Sequence, residues 1–255
     1  ATDQYEKVVA SDPKGKFLKD AAGNAIFAIE QVLKPIKSKL AAKAKKAIRE
    51  LKRSGKGVGK YAEIELHPWE DRLVKACDSY GKSLPNDKKT LSFLYKAALL
   101  LHDRNHYNDS NPRFLKIIRA NPKTEMAQYG VHEILESYSR IENWAKLNEA
   151  AREFYNNNAI GKTRKFKVEL RYIYQRATFK VAEGHAAGDK HTEAANAFLD
   201  FYKEFGDSKV RDIALYNAAF YFGKIGKKAT LFELRHEFVD NSPKPLGKDS
   251  AKAKL

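Results

Sequence analysis

Cysteine is nearly absent from the sequence: Cys77 is the single cysteine among 255 residues, so an internal disulfide is excluded. A lone cysteine among apolar helical positions is typical of core filling, and we expect that role for Cys77 rather than that of a nucleophile. The sequence also has no run of about 18 apolar residues, so no segment is long enough to span a membrane as a helix. It begins Ala1-Thr2-Asp3, without an initiator methionine or a hydrophobic leader. We therefore expect a processed or shortened chain, any export signal of which lay upstream.

Recognisable catalytic patterns are missing as well. The segment Ser54–Tyr61 resembles a phosphate-binding loop, but Ser54 stands where the pattern needs glycine and Tyr61 where it needs serine or threonine. His102 and His106 are four residues apart, as a metal-binding pair on a helix would be, yet no third histidine or cysteine ligand lies nearby. We expect a surface or interhelical role for both histidines. The sequence therefore indicates a protein that is not an enzyme and that uses no cofactor and no metal.

What the sequence does have is a recurring pattern: a helix with small residues, a turn, an aromatic-rich helix, and a closing proline or glycine. With 13 Tyr, 14 Phe and 43% hydrophobic residues, the chain has ample material for a buried core. Its clearest copies begin near Leu91, Gln128, Gln175 and Asp212, roughly 40 residues apart, and the third copy is about ten residues longer. Repeats of this length are typical of solenoids, in which each unit buries its apolar face against its neighbours. We predict an all-α fold, a right-handed α-solenoid of tetratricopeptide-like helical hairpins that forms a single superhelix over residues 1–255.

The repeat is incomplete at the start and interrupted once. Residues 5–13 match 198–206 in the spacing of their apolar positions, so we expect the chain to open on the last turns of a unit and the array to continue further N-terminally. Residues 20–33 and 69–84 form one predicted hairpin, which makes residues 34–68 an insertion within a repeat.

The insertion has a pattern of its own. From residue 36 to residue 51, apolar side chains recur three and four positions apart, which predicts a helix with a single apolar stripe. Three glycines within residues 55–59 then predict a loop.

Positive charge is concentrated in the insertion. The whole chain has a formal net charge of +16, and residues 34–60 alone contain eleven basic residues against the single acid Glu50. A second excess lies in residues 162–180, and a basic tail, predicted to be flexible, occupies residues 244–255. The candidate residues for binding an anionic surface are Lys37, Lys43, Lys45, Lys46, Arg49, Lys52 and Arg53.

A cluster of this kind is typical of contact with nucleic acid, anionic lipid headgroups or an acidic protein, but a solvated helical face has the same composition. Lysine outnumbers arginine in the insertion, and no aromatic residues are interleaved for stacking on bases, so nucleic acid is the less favoured partner. The apolar stripe is half alanine, whereas helices that insert into membrane surfaces usually carry Trp, Phe or Leu there.

The segment from Glu193 to Pro243 contains the phrases Glu193-Ala-Ala-Asn-Ala-Phe-Leu-Asp-Phe-Tyr-Lys-Glu-Phe-Gly-Asp-Ser and Asp212-Ile-Ala-Leu-Tyr-Asn-Ala-Ala. These phrases resemble repeats of bacterial envelope tetratricopeptide proteins of the Tol-Pal coordinator and outer-membrane barrel-assembly lipoprotein type, although Gly206 replaces the usual proline. The stretch beginning Asn143-Trp-Ala-Lys-Leu is similar to tetratricopeptide proteins associated with adventurous gliding motility. The resemblance implies a noncatalytic envelope scaffold in the bacterial periplasm or at the periplasmic face of the outer membrane; the alternative location is the cytoplasm.

We predict a protein–protein interaction scaffold or adaptor that holds its partner in a concave groove lined by the first helix of each unit. Tyr138, Tyr174, Tyr216 and Asn217 are the candidate groove contacts, and the basic insertion is a candidate second contact with an anionic surface. The alternative is a nucleic-acid-binding helical-repeat protein that uses the insertion and residues 162–180 as phosphate contacts. An enzyme such as a superhelical peptidoglycan lyase is disfavoured, because the sequence has no recognisable catalytic constellation.

Overall fold

A computed structural model describes residues 2–12, 14–161 and 163–241. Within these ranges the chain forms twelve α-helices and one short 3-10 helix, Gly57–Tyr61, and the described residues contain no β-strand. The α-helices are α1 (Thr2–Ser11), α2 (Leu18–Leu33), α3 (Lys37–Ser54), α4 (Pro68–Ser83), α5 (Thr90–His102), α6 (Tyr107–Ala120), α7 (Glu125–Arg140), α8 (Trp144–Asn156), α9 (Arg164–Ala187), α10 (His191–Glu204), α11 (Arg211–Lys224) and α12 (Lys228–Asn241). Pro13, the last residue of the predicted partial unit, Pro243, which ends the segment that resembles envelope tetratricopeptide proteins, and the predicted flexible tail, residues 244–255, lie outside the described residues.

Local sequence signals fix several helix starts. Thr124 and Thr163 precede α7 and α9, and each hydroxyl accepts a hydrogen bond from the backbone N–H three residues on, at 3.2 and 3.3 Å. A reciprocal cap begins α4: the His67 ring accepts from the Trp69 backbone, and the Glu70 carboxylate accepts from the His67 backbone. These contacts satisfy backbone N–H groups that have no partner inside the helix.

The described residues fall into two compact units, with α1–α7 in unit 1 and α8–α12 in unit 2. In unit 1, α1 packs on α2, α2 on α4, α4 on α5, α5 on α6, and α6 on α7. In unit 2, each of the helices α8–α12 packs on the next along the chain. The predicted all-helical fold, in which neighbours in sequence pack on each other, is confirmed for the described residues. The single right-handed solenoid of tetratricopeptide-like hairpins stays a prediction.

The two cores differ in composition. The core of unit 1 is largely aliphatic, and Cys77 is fully buried in it beside residues such as Ile26, Ile29 and Leu73. Burial raises the pKa of the Cys77 thiol to about 12, as expected for a core-filling cysteine. The core of unit 2 is aromatic: the ring of Phe179 lies edge-on to two phenylalanine rings of α10, with centroids 5.3 Å away in each case. Such edge-to-face pairs add about 0.5–1.5 kcal/mol to the burial of the rings.

The hairpin predicted around the insertion is present. Its two helices are α2 and α4, which pack on each other although α3 lies between them in sequence. The third repeat, predicted to begin near Gln175 with additional residues, has a first helix that begins at Arg164 and is 24 residues long. The additional residues therefore extend α9.

Candidate binding surfaces

The insertion forms α3, the 3-10 helix and an extended segment that leads to α4. The 3-10 helix is the main packing partner of α3. At the N-terminal end of the insertion, Ile36 and Leu40 pack partly buried against the core of unit 1, and Ala44 is only 4% exposed. The predicted apolar stripe of α3 therefore faces the protein, and the opposite side of the helix faces solvent.

The solvent side of α3 carries uncompensated positive charge, and we call it the basic face. All seven residues predicted to contact an anionic surface are exposed: Lys37, Lys43, Lys45, Lys46, Arg49, Lys52 and Arg53. Lys46 pairs with Glu50 at 3.8 Å, but the two side chains are 79% and 63% exposed, so the pair neutralises little. Among the described residues, no other cation of α3 forms an ion pair. At 100° per residue, the cations cover about two thirds of the circumference of α3 over about 25 Å of its length.

A close backbone approach fixes the C-terminal end of α3. Gly55 follows the helix directly, and a Cβ atom there would lie 2.6 Å from the carbonyl oxygen of Leu51 and 2.7 Å from the backbone nitrogen of Lys60. Glycine at this position therefore allows the 3-10 helix to fold back on the last turn of α3. The ammonium group of Lys52 lies 5.9 Å from the centre of the Tyr61 ring, which is a weak additional contact.

The return segment, residues 62–66, is held by the turn between α5 and α6. The backbone N–H of Ile64 donates to the carbonyl of Arg104 at 2.9 Å, and the side-chain amide of Asn105 donates to the carbonyl of Ala62 at 3.0 Å. Asn105 is buried and has a φ of 62°, a left-handed conformation that asparagine tolerates better than most residues. The insertion is thus anchored to unit 1 at both of its ends.

A buried ion pair supports the same turn. The guanidinium of Arg104 donates to the carboxylate of Glu70, and the two residues are 7% and 5% exposed. Glu70 also caps the start of α4, so one carboxylate connects α4 to the turn that holds the return segment. Removing either partner would leave an uncompensated buried charge.

Exposed large hydrophobic side chains define a second kind of surface. We call α2, α5, α7, α9 and α11 the first helices of the hairpins, and α4, α6, α8, α10 and α12 the second helices. The first helices expose Phe27, Val32, Tyr129, Val168, Tyr172, Ile213 and Phe220. Within the described residues, α4, α6, α8 and α10 expose no large hydrophobic side chain, whereas α12 exposes Phe232 and Val239. The other two examples, Val8 and Phe17, precede α2.

Among the first helices, α5 exposes no large hydrophobic side chain in the described residues. Leu99 and Leu100 of α5 are half-buried and line, with Leu40 of α3, a cleft of about 520 Å³. Lys96 also lines the cleft and forms an ion pair with Glu30 of α2. The insertion thus partly covers the apolar side of the helix that follows its own hairpin.

The predicted groove contacts on α7 and α11 are half-buried. Tyr216 and Asn217 lie between the exposed Ile213 and Phe220 on α11, and spacings of three, four and seven residues place all four on one helix face. Tyr138 is partly accessible on α7. Contact of these three predicted residues with a partner stays a prediction.

The structure places the fourth predicted contact, Tyr174, in the core of unit 2. It is 3% exposed, its hydroxyl donates to Glu204 at 2.7 Å, and its ring centroid lies 5.0 Å from that of Phe205. The aromatic side chain that α9 exposes is Tyr172, because residues two positions apart point to nearly opposite sides of a helix. The signal that assigns Tyr174 to the core is its spacing of four from Leu170, which is also buried.

Three of the six described Lys and Arg residues of α9 bond within unit 2. Lys167, Arg171 and Lys180 bond to the Tyr155 carbonyl, to Asp207 and to Glu183, respectively. Arg164, Lys165 and Arg176 are exposed, on the side of α9 that also exposes Val168 and Tyr172. Lys162, predicted as part of this cluster, lies outside the described residues. The second basic excess is therefore compensated in part, and more so than the basic face of α3.

The two histidines with metal-pair spacing have separate contacts. His106 Nε2 lies 2.9 Å from a backbone carbonyl oxygen of the return segment. His102 is buried with its Nδ1 atom 3.1 Å from the carboxylate of Glu133, and burial lowers the pKa of His102 to about 4. Glu136 completes a group whose candidate ligand atoms lie within 4.8 Å of one another, but Arg140 donates to this carboxylate at 3.0 and 2.6 Å. Since a guanidinium already pairs with Glu136, we interpret the group as a polar contact between α5 and α7.

The sequence matches no protein-family model and no curated protein. None of the described helices combines the length and the apolar character that crossing a bilayer requires. The two candidate binding surfaces of the protein are the basic face of α3 and the exposed hydrophobic side chains of the first helices.

Proposed function

We propose that the protein is a noncatalytic scaffold or adaptor that binds a partner protein through the first helices of its hairpins. The observation that carries this proposal is the concentration of exposed large hydrophobic side chains on α2, α7, α9 and α11, while α4, α6, α8 and α10 expose none in the described residues. Apolar side chains left in water on the first helices of four of the five hairpins are typical of a binding surface. In the predicted right-handed tetratricopeptide-like superhelix, the first helices line the concave groove.

The side chains of this surface favour a protein partner. Phe27, Tyr129, Tyr172 and Phe220 are aromatic, and each is about half exposed or more. Aromatic side chains dominate the binding energy of protein interfaces because they bury a large area with few rotatable bonds. A partner segment that buries the exposed rings of either unit would gain much of its affinity from them.

The resemblance of residues 193–243 to envelope tetratricopeptide proteins supports a bacterial envelope complex as the setting. The proposed location is the periplasm or the periplasmic face of the outer membrane. The basic face of α3 adds a second contact, with an anionic surface, to the same scaffold.

The test replaces three exposed rings of the first helices in the full chain: Phe27→Ser, Tyr172→Ser and Phe220→Ser together. We expect the protein to lose the partners that the wild type captures from an envelope extract, as identified by mass spectrometry. Surface substitutions of this kind change stability little, so melting curves recorded by circular dichroism should remain close to those of the wild type.

A matched control is Phe232→Ser, since this phenylalanine is 55% exposed but lies on the second helix α12. We expect this variant to capture the same partners as the wild type. Unchanged capture by the triple variant, or loss of every partner on deletion of residues 34–60 alone, would contradict the proposal.

A further inference from the structure

The positive charges of the basic face of α3 make almost no contacts within the protein. On α9, half of the described basic residues between positions 162 and 180 bond within the protein, whereas on α3 the single ion pair, Lys46 with Glu50, is exposed. The rest of the basic face points into solvent without a carboxylate partner among the described residues. Such a face is complementary to a surface with many negative charges.

We propose that the basic face of α3 docks the protein on an anionic phospholipid bilayer, by adsorption to the headgroups without insertion. The proposal rests on the proposed function, of which it specifies the second contact. Clusters of four to eight lysines and arginines on an amphipathic helix are sufficient for attraction to an anionic leaflet. The seven exposed cations that define the basic face fall within this range.

The orientation of α3 decides between adsorption and insertion. Interfacial helices bury an apolar side in the lipid, but here Ile36, Leu40 and Ala44 face the protein. No large hydrophobic side chain of α3 is exposed in the part of the chain that the structure describes. Binding should therefore depend on charge alone and be reversed by salt.

The composition of the basic face favours headgroups over nucleic acid. Five of its seven residues are lysines, which act as mobile point charges, whereas arginine pairs bidentately with phosphates and base edges. Among the described residues, the basic face also offers no exposed aromatic side chain for stacking on bases. A diffuse layer of headgroup charge requires neither kind of contact.

Anchoring of the insertion makes the basic face a fixed surface of unit 1. Gly55 allows the 3-10 helix to pack on the end of α3, and Asn105 holds the return segment. Because α3 is already ordered, adsorption costs little conformational entropy beyond that of the long side chains.

The test measures co-sedimentation of the full chain with two kinds of vesicle: phosphatidylcholine alone, and phosphatidylcholine mixed with phosphatidylglycerol. We expect binding to the anionic vesicles only, with full release at about 0.5 M salt, where charges are screened within a few ångströms. Three cations of the basic face that form no ion pair are then neutralised together as Lys45→Gln, Arg49→Gln and Arg53→Gln. We expect the partition coefficient to fall roughly 100-fold, from the contribution of each cation at an anionic leaflet.

A control with the same loss of charge is Lys116→Gln, Arg119→Gln and Lys123→Gln, three exposed cations of unit 1 outside the insertion. This variant should bind the anionic vesicles nearly as well as the wild type. Equal losses in both variants would overturn the proposal, because they would show a response to net charge and not to the basic face. If the protein stayed bound to the anionic vesicles at high salt, the proposed adsorption without insertion would be wrong.

A labelled DNA duplex and an acidic homopolymer, poly-glutamate, are tested in parallel. Binding of the duplex or of poly-glutamate without binding of the anionic vesicles would overturn the proposal in favour of nucleic acid or of an acidic protein. If the vesicles fail to bind while the first helices still capture a protein partner, only this inference falls. If partner capture fails while vesicle binding persists, the scaffold proposal falls instead.

Discussion

Single positions decide which side chains of this protein are available for contact. On α9, Tyr172 is 65% exposed and Tyr174 is 3% exposed, although both are tyrosines in the same helix. The difference follows from the 3.6-residue period, because Tyr174 continues the stripe of Leu170 and Tyr172 does not. The residue type alone therefore does not show whether an aromatic side chain of this protein is buried or available for contact.

Gly55 is a position where the smallest side chain is required. We expect Gly55→Ala to lower the free energy of unfolding by about 1–3 kcal/mol, because the new Cβ would lie within 3 Å of backbone atoms of Leu51 and Lys60. Urea denaturation measures the change. Gly59→Ala is the control, since a Cβ there would meet no atom within 4 Å, and equal losses in the two variants would refute the steric explanation.

His102 makes stability depend on pH. Burial lowers its pKa to about 4, from an ordinary value of about 6.5, so at intermediate pH the unfolded chain binds a proton there and the folded protein does not. The stabilising contribution of the neutral ring is complete above about pH 6.5 and is lost as the pH falls towards 4. As the pH falls from about 6.5 to about 4, we expect the free energy of unfolding to decrease by about 3 kcal/mol less in the His102→Gln variant than in the wild type. Urea denaturation at several pH values across this interval measures the difference.

Other groups beside His102 also change the stability of the protein with pH, so the His102 variant and the wild type are compared at each pH. Burial raises the pKa of Glu133, which binds a proton more readily in the folded state and acts in the opposite direction as the pH falls. Glu136, Arg140 and the ring of Tyr107 also surround this histidine. The exposed His236→Gln variant should follow the wild-type profile. If the free energy of unfolding of His102→Gln depended on pH in the same way as that of the wild type, this histidine would not be the source of the pH dependence.

At the scale of elements, the insertion is a helix with fixed ends. We expect Asn105→Ala to free the return segment, because it removes the hydrogen bond to Ala62 and leaves the Tyr107 hydroxyl, which donates to Asn105 at 2.9 Å, without its acceptor. Hydrogen exchange at the Ile64 amide should become faster, and stability should fall by about 1–3 kcal/mol. Asn108→Ala, at an exposed position of α6, should leave exchange at Ile64 unchanged. Unaltered exchange in the Asn105 variant would contradict this account of the anchoring.

At the scale of the whole molecule, the net charge of +16 should oppose folding through self-repulsion. We expect the melting temperature to rise between low salt and about 0.15 M salt, where the Debye length is about 8 Å. The rise should be smaller for the variant that neutralises Lys45, Arg49 and Arg53, since the repulsion is densest on α3. Melting curves followed by circular dichroism test this, and a melting temperature that falls with added salt would contradict it.

The repeat helices, the place of the insertion and the apolar stripe of α3 were predictable from the sequence. These features are local: a helix and its buried side follow from spacings of three and four residues, and an insertion follows from the break between two halves of a hairpin. The seven cations of the basic face were also predictable, because a segment with eleven basic residues and one acid has almost no local partner for its charges.

Which other side chains are accessible depends on contacts between residues far apart in the sequence. Asp207 compensates Arg171 from 36 residues away, and Glu70 binds Arg104 across 34 residues, contacts that no local pattern encodes. The anchoring of the return segment by Asn105 and the burial of Tyr174 likewise depend on helices distant in sequence. The cations of α3, which have almost no carboxylate partner, remain exposed. Cations that pair with a carboxylate distant in the sequence, such as Arg104 and Arg171, contribute to packing within the fold.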